Sequence, residues 1–514
     1  MKHFIIIDTG SSSMRGLLMD SEGQILETKQ LTYQMDVKDS DQVEQDSGVF
    51  RDCFYQILRD LNAVCIREGI TVSALSFTSQ RSSVLPVDKE GIPLSPILMW
   101  YDKRSSLLCD ELNETHPDTL YSISGMKASP VFSAPKMRWF RDHQPEVFAR
   151  THKLLGIHDY LLYLSTGHFV TDTSLASRTG LLDTAKGSWS PTLLAIYGIS
   201  EEMLCSLIPP GSIAGYTSAE LSRKTGIPKG VPVISAGGDQ QCSLLGQGLF
   251  ENSSVGITSG TASYVVALSE QPIFDSQKRI NLNLSSLPGK WVMEASNMAS
   301  GSVYNWNRSL FYPDSWSYEE INADILSSPP GAKGLIMLPD LGGKGCPQWD
   351  PYARGSYHNI GFEMGRADFS RAMLEGIAAE IGECFQVLKD LLPTVRTVSS
   401  AGGLSSFPEF NQILADMLES PILASPVRET TGLGAWALAA VALSLYPSAG
   451  DALKTASKRQ PSSGTFSPIP ERSRLYRTQA EIRRYLRSSV DSKKLRKLFA
   501  SEASTADLNP PVPQ

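Results

Sequence analysis

The chain has 514 residues, 41% of them hydrophobic and 20% charged, proportions that exclude a disordered, fibrous or membrane protein and predict a soluble globular one. At roughly 100 to 200 residues per domain, two to four domains are expected. A formal charge of −7 argues against a surface built throughout for nucleic acid, although residues 454–497 carry 13 Lys and Arg against Glu471, Glu481 and Asp491, a local +10 that leaves −17 elsewhere.

Phe4 to Ile7 is a β-branched and apolar run, Asp8 to Ser13 is small and polar, and Gly16 to Met19 is apolar again, which predicts strand, turn and strand. The run is too short for a signal peptide. A helix over Val49 to Arg67 and a strand over Val72 to Phe77 follow, and this alternation indicates an α/β architecture. Val231 to Ser235 reads as a buried strand, Gly237-Gly238-Asp239 as a turn, and Gln240 to Leu245 as the start of a helix. The opening pattern then recurs: Ile7-Asp8-Thr9-Gly10-Ser11-Ser12-Ser13 can be laid on Ile257-Thr258-Ser259-Gly260-Thr261-Ala262-Ser263 at an offset of 250. Two related halves are therefore expected, 1–247 and 248–487, with a basic and Pro-rich tail over 488–514 that is disordered towards its end.

In the second half, Asp368 to Leu388 has helical apolar spacing, Val398 to Leu404 reads as a strand ending in a Gly-Gly turn, and Phe410 to Leu418 as another helix. Leu433 to Tyr446 is Ala-rich and shorter than the roughly 20 residues of a membrane span, so a buried helix is expected there. The basic stretch that includes Arg483, Arg484, Lys493, Lys494, Arg496 and Lys497 is interrupted by acidic and apolar residues, so a solvated helix is expected and no nucleic-acid partner. Seven scattered cysteines without a C-x-x-C pair suit reduced thiols in a cytoplasmic enzyme rather than disulfides or zinc.

G-x-x-x-x-G-K-[ST], H-E-x-x-H and G-x-S-x-G are all absent, which removes support for a P-loop, zinc hydrolysis or a serine nucleophile. Three glycine turns after apolar strands remain. The first, Asp8-Thr9-Gly10-Ser11-Ser12-Ser13, offers N–H groups and hydroxyls to phosphate oxygens, with Asp8 suited to Mg²⁺; alone it also reads as a plain polar hairpin. The second, around Gly260 and Thr261, has the same chemistry, and the pair together suits one polyphosphate. The third puts Asp239 at a helix start, where it is either an N-cap or a base that takes the proton of a hydroxyl attacking a γ-phosphate.

This ordered series resembles the FGGY carbohydrate kinases, the group of xylulokinases and glycerol kinases. The likeness rests on Ile7-Asp8-Thr9-Gly10 with Arg15, Trp100 to Arg104, Gly237 to Gln240, Gly260-Thr261, Ser370 to Gly376, Ala401-Gly402-Gly403 with Ala415-Asp416, and Gly434-Ala435. It runs from Phe4 to about Arg487. It implies two duplicated ribonuclease H-like domains, of the actin and hexokinase ATPase kind, around a hinged cleft. It also implies ATP and Mg²⁺ as cofactors and a small sugar or polyol as substrate. Asp239 falls at the family's catalytic base and metal partner, and Asp8 at its metal-associated carboxylate. Thr9, Gly10, Ser11, Ser12, Arg15, Gly260, Thr261, Gly402 and Gly403 fall at ATP-binding positions. Neither nucleic acid nor membrane is implied, and a homodimer is left open.

Gln80, Arg81, Trp100, Asp102, Asp239 and Gln240 fall at substrate positions. The lesser alternatives are that Arg81 is a surface arginine and Trp100 plain core. Where glycerol kinases place an acidic residue after the arginine, this chain has Ser82, and Val131 stands where they usually have tyrosine. Both departures disfavour glycerol and favour a larger ketose or polyol. The alternative is a non-catalytic nucleotide or sugar sensor of the same fold, although both carboxylates and both phosphate turns are intact.

Overall fold

A computed structural model describes residues 2–34, 36–38, 41–350, 352–392, 394–425, 429–458, 464–492 and 494–495. Most of the expected tail, with Lys493, Arg496 and Lys497, lies outside them. The chain forms two compact units. The first comprises residues 1–254, 266–294 and 426–462, the second 255–265, 295–425 and 463–514.

The first unit is built on a sheet of β1 (His3–Thr9), β2 (Ser13–Met19), β3 (Ile25–Thr32), β4 (Val72–Ser79), β5 (Ser212–Tyr216) and β6 (Pro232–Gly238), in the order β5-β6-β4-β1-β2-β3. β1 is antiparallel to β2 and parallel to β4, which in turn is parallel to β6. Side chains alternate along a strand, so a strand covered on both faces must be apolar throughout. β1 satisfies this: Ile5 and Ile7 pack with Phe50, Phe54 and Ile57 of the helix Ser47–Arg67. Phe4 and Ile6 pack on the other face with Leu433, Ala435 and Trp436 of the helix Thr430–Ala442.

The helix Thr430–Ala442 explains the Ala-rich stretch. A Cβ on Gly434 would lie 2.0 Å from the Cys242 carbonyl oxygen, and one on Gly246 would lie 1.8 Å from that of Thr430. Small residues let this helix touch the backbone of the helix Asp239–Gly246, while Trp436 Nε1 donates to the Asp20 carbonyl at 2.9 Å. Among the described residues no helix is long and apolar enough to cross a membrane.

Residues 255–265 of the second unit hold most of β7 (Ser254–Ser259), a turn at 260–262 and the start of β8 (Ser263–Ser269). The strand order continues on the other side of β7 with β9 (Thr397–Ala401), β10 (Ile422–Ala424) and β11 (Gly464–Phe466), where β9 and β10 are parallel. A strand order in which two consecutive strands lie side by side, with later strands added beyond the first, is shared with β2-β1-β4-β6.

The basic C-terminal helix, Pro470–Ser488, is solvated along most of its surface, as expected, but one face is buried. Arg483 is buried and donates to the Met337 carbonyl; Arg487 pairs with Asp340 and Glu380, and Tyr476 donates to Glu375 at 2.9 Å. The guanidiniums on one face reach acidic partners that lie far away in sequence, and helical spacing alone does not reveal them. The seven cysteines are free thiols.

Candidate active site

β6 runs through Gly237 and Gly238 straight into the helix Asp239–Gly246, with no separate turn between them. The N-cap is Gly238, and Asp239 is the first helical residue. Its Oδ1 accepts from the Gln240 N–H at 2.7 Å, and as the first helical residue it does not occupy the capping position. Both glycines are sterically required. Gly237 has φ +101°, and a Cβ there would meet Ser174 Oγ at 2.5 Å; one on Gly238 would meet Arg81 Cδ at 2.6 Å.

Arg81 is buried, not a surface arginine. Its Nε lies 3.5 Å from Asp239 Oδ1 and its Nη1 donates to Glu294 at 2.8 Å, while Arg178 Nη1 reaches the other Glu294 oxygen at 2.9 Å. Burial raises the Asp239 pKa, against the pull of Arg81 and the Gln240 amide. Burial acts on Glu294 in the same sense, but there the two guanidiniums outweigh it and the carboxyl is held below its usual range. Glu294 and Arg178 were not foreseen. The available signal was a lone carboxylate inside the apolar strand Trp291–Asn297, a placement that demands a buried cation.

Asp8, near the end of β1, pairs in register with Arg15 of β2. Burial first, and then the nearby charge of Asp239, push its pKa to about 7 against the pull of Arg15. Arg15 in turn pairs with Glu429 and donates to Gln30 at 3.1 Å. The turn after Asp8 is tied down from several sides. The Gly10 carbonyl accepts from Tyr33 Oη at 2.6 Å and from Gln80 Nε2 at 3.2 Å. Ser11 Oγ accepts from Trp100 Nε1 at 2.8 Å and donates to Gln80 at 3.3 Å, so Trp100 is a half-buried hydrogen-bonding residue, not plain core. Thr9 Oγ1 and Gln240 Oε1 are buried polar atoms with no partner among the described residues, and Ser12 is exposed. Asp102 is placed differently: it is fully buried, accepting from the Val43 amide at 2.8 Å and from Arg104 Nε at 2.9 Å.

In the second unit, the Gly260 carbonyl accepts from the Gly301 N–H at 2.9 Å and that of Thr261 from Ser302 at 3.2 Å. Around this turn the hydroxyls of Ser259, Ser263, Ser300 and Ser400 are buried and without partners among the described residues. Gly402 has φ +97°, and a Cβ there would lie 2.5 Å from the Ser259 carbonyl oxygen. Gly403 faces open space, with nothing within 4 Å of such an atom.

A backbone turn with orphaned hydroxyls can hold an anion, and two buried carboxylates, Asp239 raising the pKa of Asp8, can hold a cation. No group of three or more His, Cys, Asp or Glu suited to a metal occurs among the described residues. A divalent ion would thus meet at most two carboxylates here and complete its shell elsewhere, a donor set that fits Mg²⁺ carried by phosphate.

Residues 3–246 match the N-terminal domain of the FGGY family of carbohydrate kinases, and residues 255–443 its C-terminal domain. The chain is 30% identical to the xylulose kinase of Lactococcus lactis over 449 residues, 87% of this chain and 89% of that one. It is 31% identical to the glycerol kinase of Alkalilimnicola ehrlichii over 460 residues, 87% of this chain and 91% of that one. Among solved structures, the ligand-bound xylulose kinase of Lactobacillus acidophilus superposes with a TM-score of 0.88 at 23% identity, covering 95% of this chain and 98% of that one.

Proposed function

Since the chain belongs to the FGGY family of carbohydrate kinases and is a sugar or polyol kinase, we propose that Asp239 is its catalytic base and that its acceptor is a ketose or polyol larger than glycerol. The observation that carries the first part is the strand-to-helix junction: Asp239 stands at the first helical position, 27% exposed, with one oxygen fixed by its neighbour's amide and the same oxygen facing Arg81. A carboxylate held this way can aim an acceptor hydroxyl and take its proton as the phosphoryl group arrives.

ATP is the phosphoryl donor that the family implies. Thr261 and the orphaned serine hydroxyls beside it would supply donors for phosphate oxygens, as the unpartnered Thr9 hydroxyl and exposed Ser12 would in the first unit, while Gly260 and Gly10, whose N–H groups donate to the Ala262 and Ser13 carbonyls, shape the two turns. Gly402 and Gly403 offer bare backbone for adenosine. Asp8 and Asp239 would hold Mg²⁺, which when bound neutralises phosphate charge. The cation's charge would then favour the ionised form of Asp8 against burial and the neighbouring Asp239. Gln80, Arg81, Trp100 and Gln240 would contact acceptor hydroxyls, whereas the buried Asp102 supports Arg104 behind them.

The size preference is supported by Ser82, which spends its hydroxyl on the Arg178 carbonyl at 3.3 Å, and by the absence of a phenol at Val131. A coupled ADP-release screen over ketoses, alditols and glycerol tests both parts. ATP turnover should depend on added acceptor, with glycerol among the poorest; glycerol at the top of the screen overturns the preference.

A further inference from the structure

Lys136 sits in the helix Ser133–His143 with 0% of its surface exposed. Burial of an ammonium is costly unless its protons are all taken. Among the described residues no carboxylate lies within ion-pair distance of it; its Nζ is instead caged by main-chain oxygens. It donates to the carbonyls of Pro130 at 2.5 Å, Val131 at 3.0 Å, Phe132 at 3.1 Å, and Ser82 and Trp100 each at 3.4 Å.

Those five oxygens belong to three separate stretches of chain, and each stretch carries a residue that the acceptor site uses or has altered. Ser82 follows Gln80 and Arg81, Trp100 binds the Ser11 hydroxyl, and Val131 stands at the position of the missing phenol. Ser82 also has φ +73°, a left-handed conformation that a non-glycine residue holds only when its surroundings impose it. Its carbonyl on Lys136 and its hydroxyl on the Arg178 carbonyl are two such constraints.

We propose that Lys136 is the positioning residue for acceptor recognition: its buried ammonium gathers the backbone at Ser82, Trp100 and Pro130 to Phe132 into one wall and thereby sets which acceptor is taken. The inference rests on the acceptor-site reading given above. Burial also draws the pKa of this lysine down to about 7, against the pull of Asp102.

Lys136→Met keeps the length of the side chain and removes every donor. With whichever of xylulose and glycerol turns over faster as probe, KM for that acceptor should rise about tenfold or more while KM for ATP stays within about twofold, and the ratio of kcat/KM for xylulose to that for glycerol should change. Lys136→Ala should be partly rescued by millimolar ethylammonium, which can re-enter the carbonyl cage, and not by equal sodium. Should the Met variant not fold, Lys136→Arg, which retains the charge in a different shape, should still alter that ratio with KM for ATP unchanged. Equal losses for acceptor and ATP, an unaltered ratio, or no ammonium rescue would overturn the proposal. Trp100→Ala and Arg81→Lys separate the two readings: if neither raises acceptor KM, the acceptor site itself is misplaced; if both do and Lys136→Met does not, only the role of Lys136 fails.

Discussion

Arg81 lies closer to Glu294, at 2.8 Å, than to Asp239, at 3.5 Å. The guanidinium is therefore anchored by a buried carboxylate that it shares with Arg178, while its Nε faces the proposed base. Glu294→Gln keeps the shape and removes the charge. It should lower kcat/KM for the acceptor by about ten- to a hundredfold and leave KM for ATP unchanged. Glu294→Ala strands two buried arginines and should cost about 3 to 5 kcal/mol of stability by urea denaturation.

Asp239→Asn preserves volume and the contact with the Gln240 amide while removing the proton acceptor. Phosphoryl transfer should fall by about a hundredfold to ten-thousandfold, the range of general-base contributions, with ATP affinity by calorimetry nearly unchanged. An active variant would exclude this residue as the base.

Gly402 and Gly403 are adjacent, yet their substitution should have opposite signatures. Gly402→Ala meets the Ser259 carbonyl oxygen at 2.5 Å in a left-handed conformation and should lose about 1 to 3 kcal/mol of stability. Gly403→Ala meets nothing within 4 Å and has helical dihedrals, so the fold should tolerate it. If adenosine lies on this backbone, KM for ATP should nonetheless rise about tenfold.

His158 lies behind the same strand that delivers Asp239. Its Nε2 contacts Ser235 Oγ at 2.8 Å, and Ser235 donates to Asp172 at 2.5 Å, so the imidazole is the donor to Ser235. Burial lowers its pKa from 6.5 to about 4, despite the opposing pull of Asp172. A folded-state pKa below the unfolded value contributes stability above pH 6.5 and loses it as pH falls towards 4. The advantage of the native protein over His158→Gln should thus shrink by roughly 3 kcal/mol across that window, at about 1.36 kcal/mol per unit. Asp159, raised to about 6 by burial, acts in the opposite sense but is common to both proteins and cancels from the difference. Urea titrations at a series of pH values measure it.

The elements with a strong local signal were legible from the chain alone. β1 declares itself by four consecutive apolar residues, and the long helix Arg366–Leu391 by its apolar spacing. Asp8, Thr9 to Ser12, Gly260 and Asp239 declare themselves because glycines and hydroxyls after a strand make a repeated pattern. What stayed hidden depends on partners distant in sequence. Glu294 and Arg81 are 213 positions apart, and nothing near either residue announces the other. Arg483 and Arg487 read as solvent charges until Met337, Asp340 and Glu380 are brought beneath them. The glycine turn before Asp239 was expected as a loop, because Gly-Gly resists strand assignment; the strand persists through it because Ser174 and Arg81 press on a backbone that has no room for side chains.

The backbone contact of Gly434 with Cys242 and of Gly246 with Thr430 has a mechanical meaning. The helix beginning at Asp239 is seated on the helix Thr430–Ala442, which in turn packs against the strand that carries Asp8. Both carboxylates are thus carried by elements packed on one shared helix, so core packing there bears on how far apart they stand. A bulkier residue at Gly434 or Gly246 would therefore shift the helix that begins at Asp239 without touching either acid.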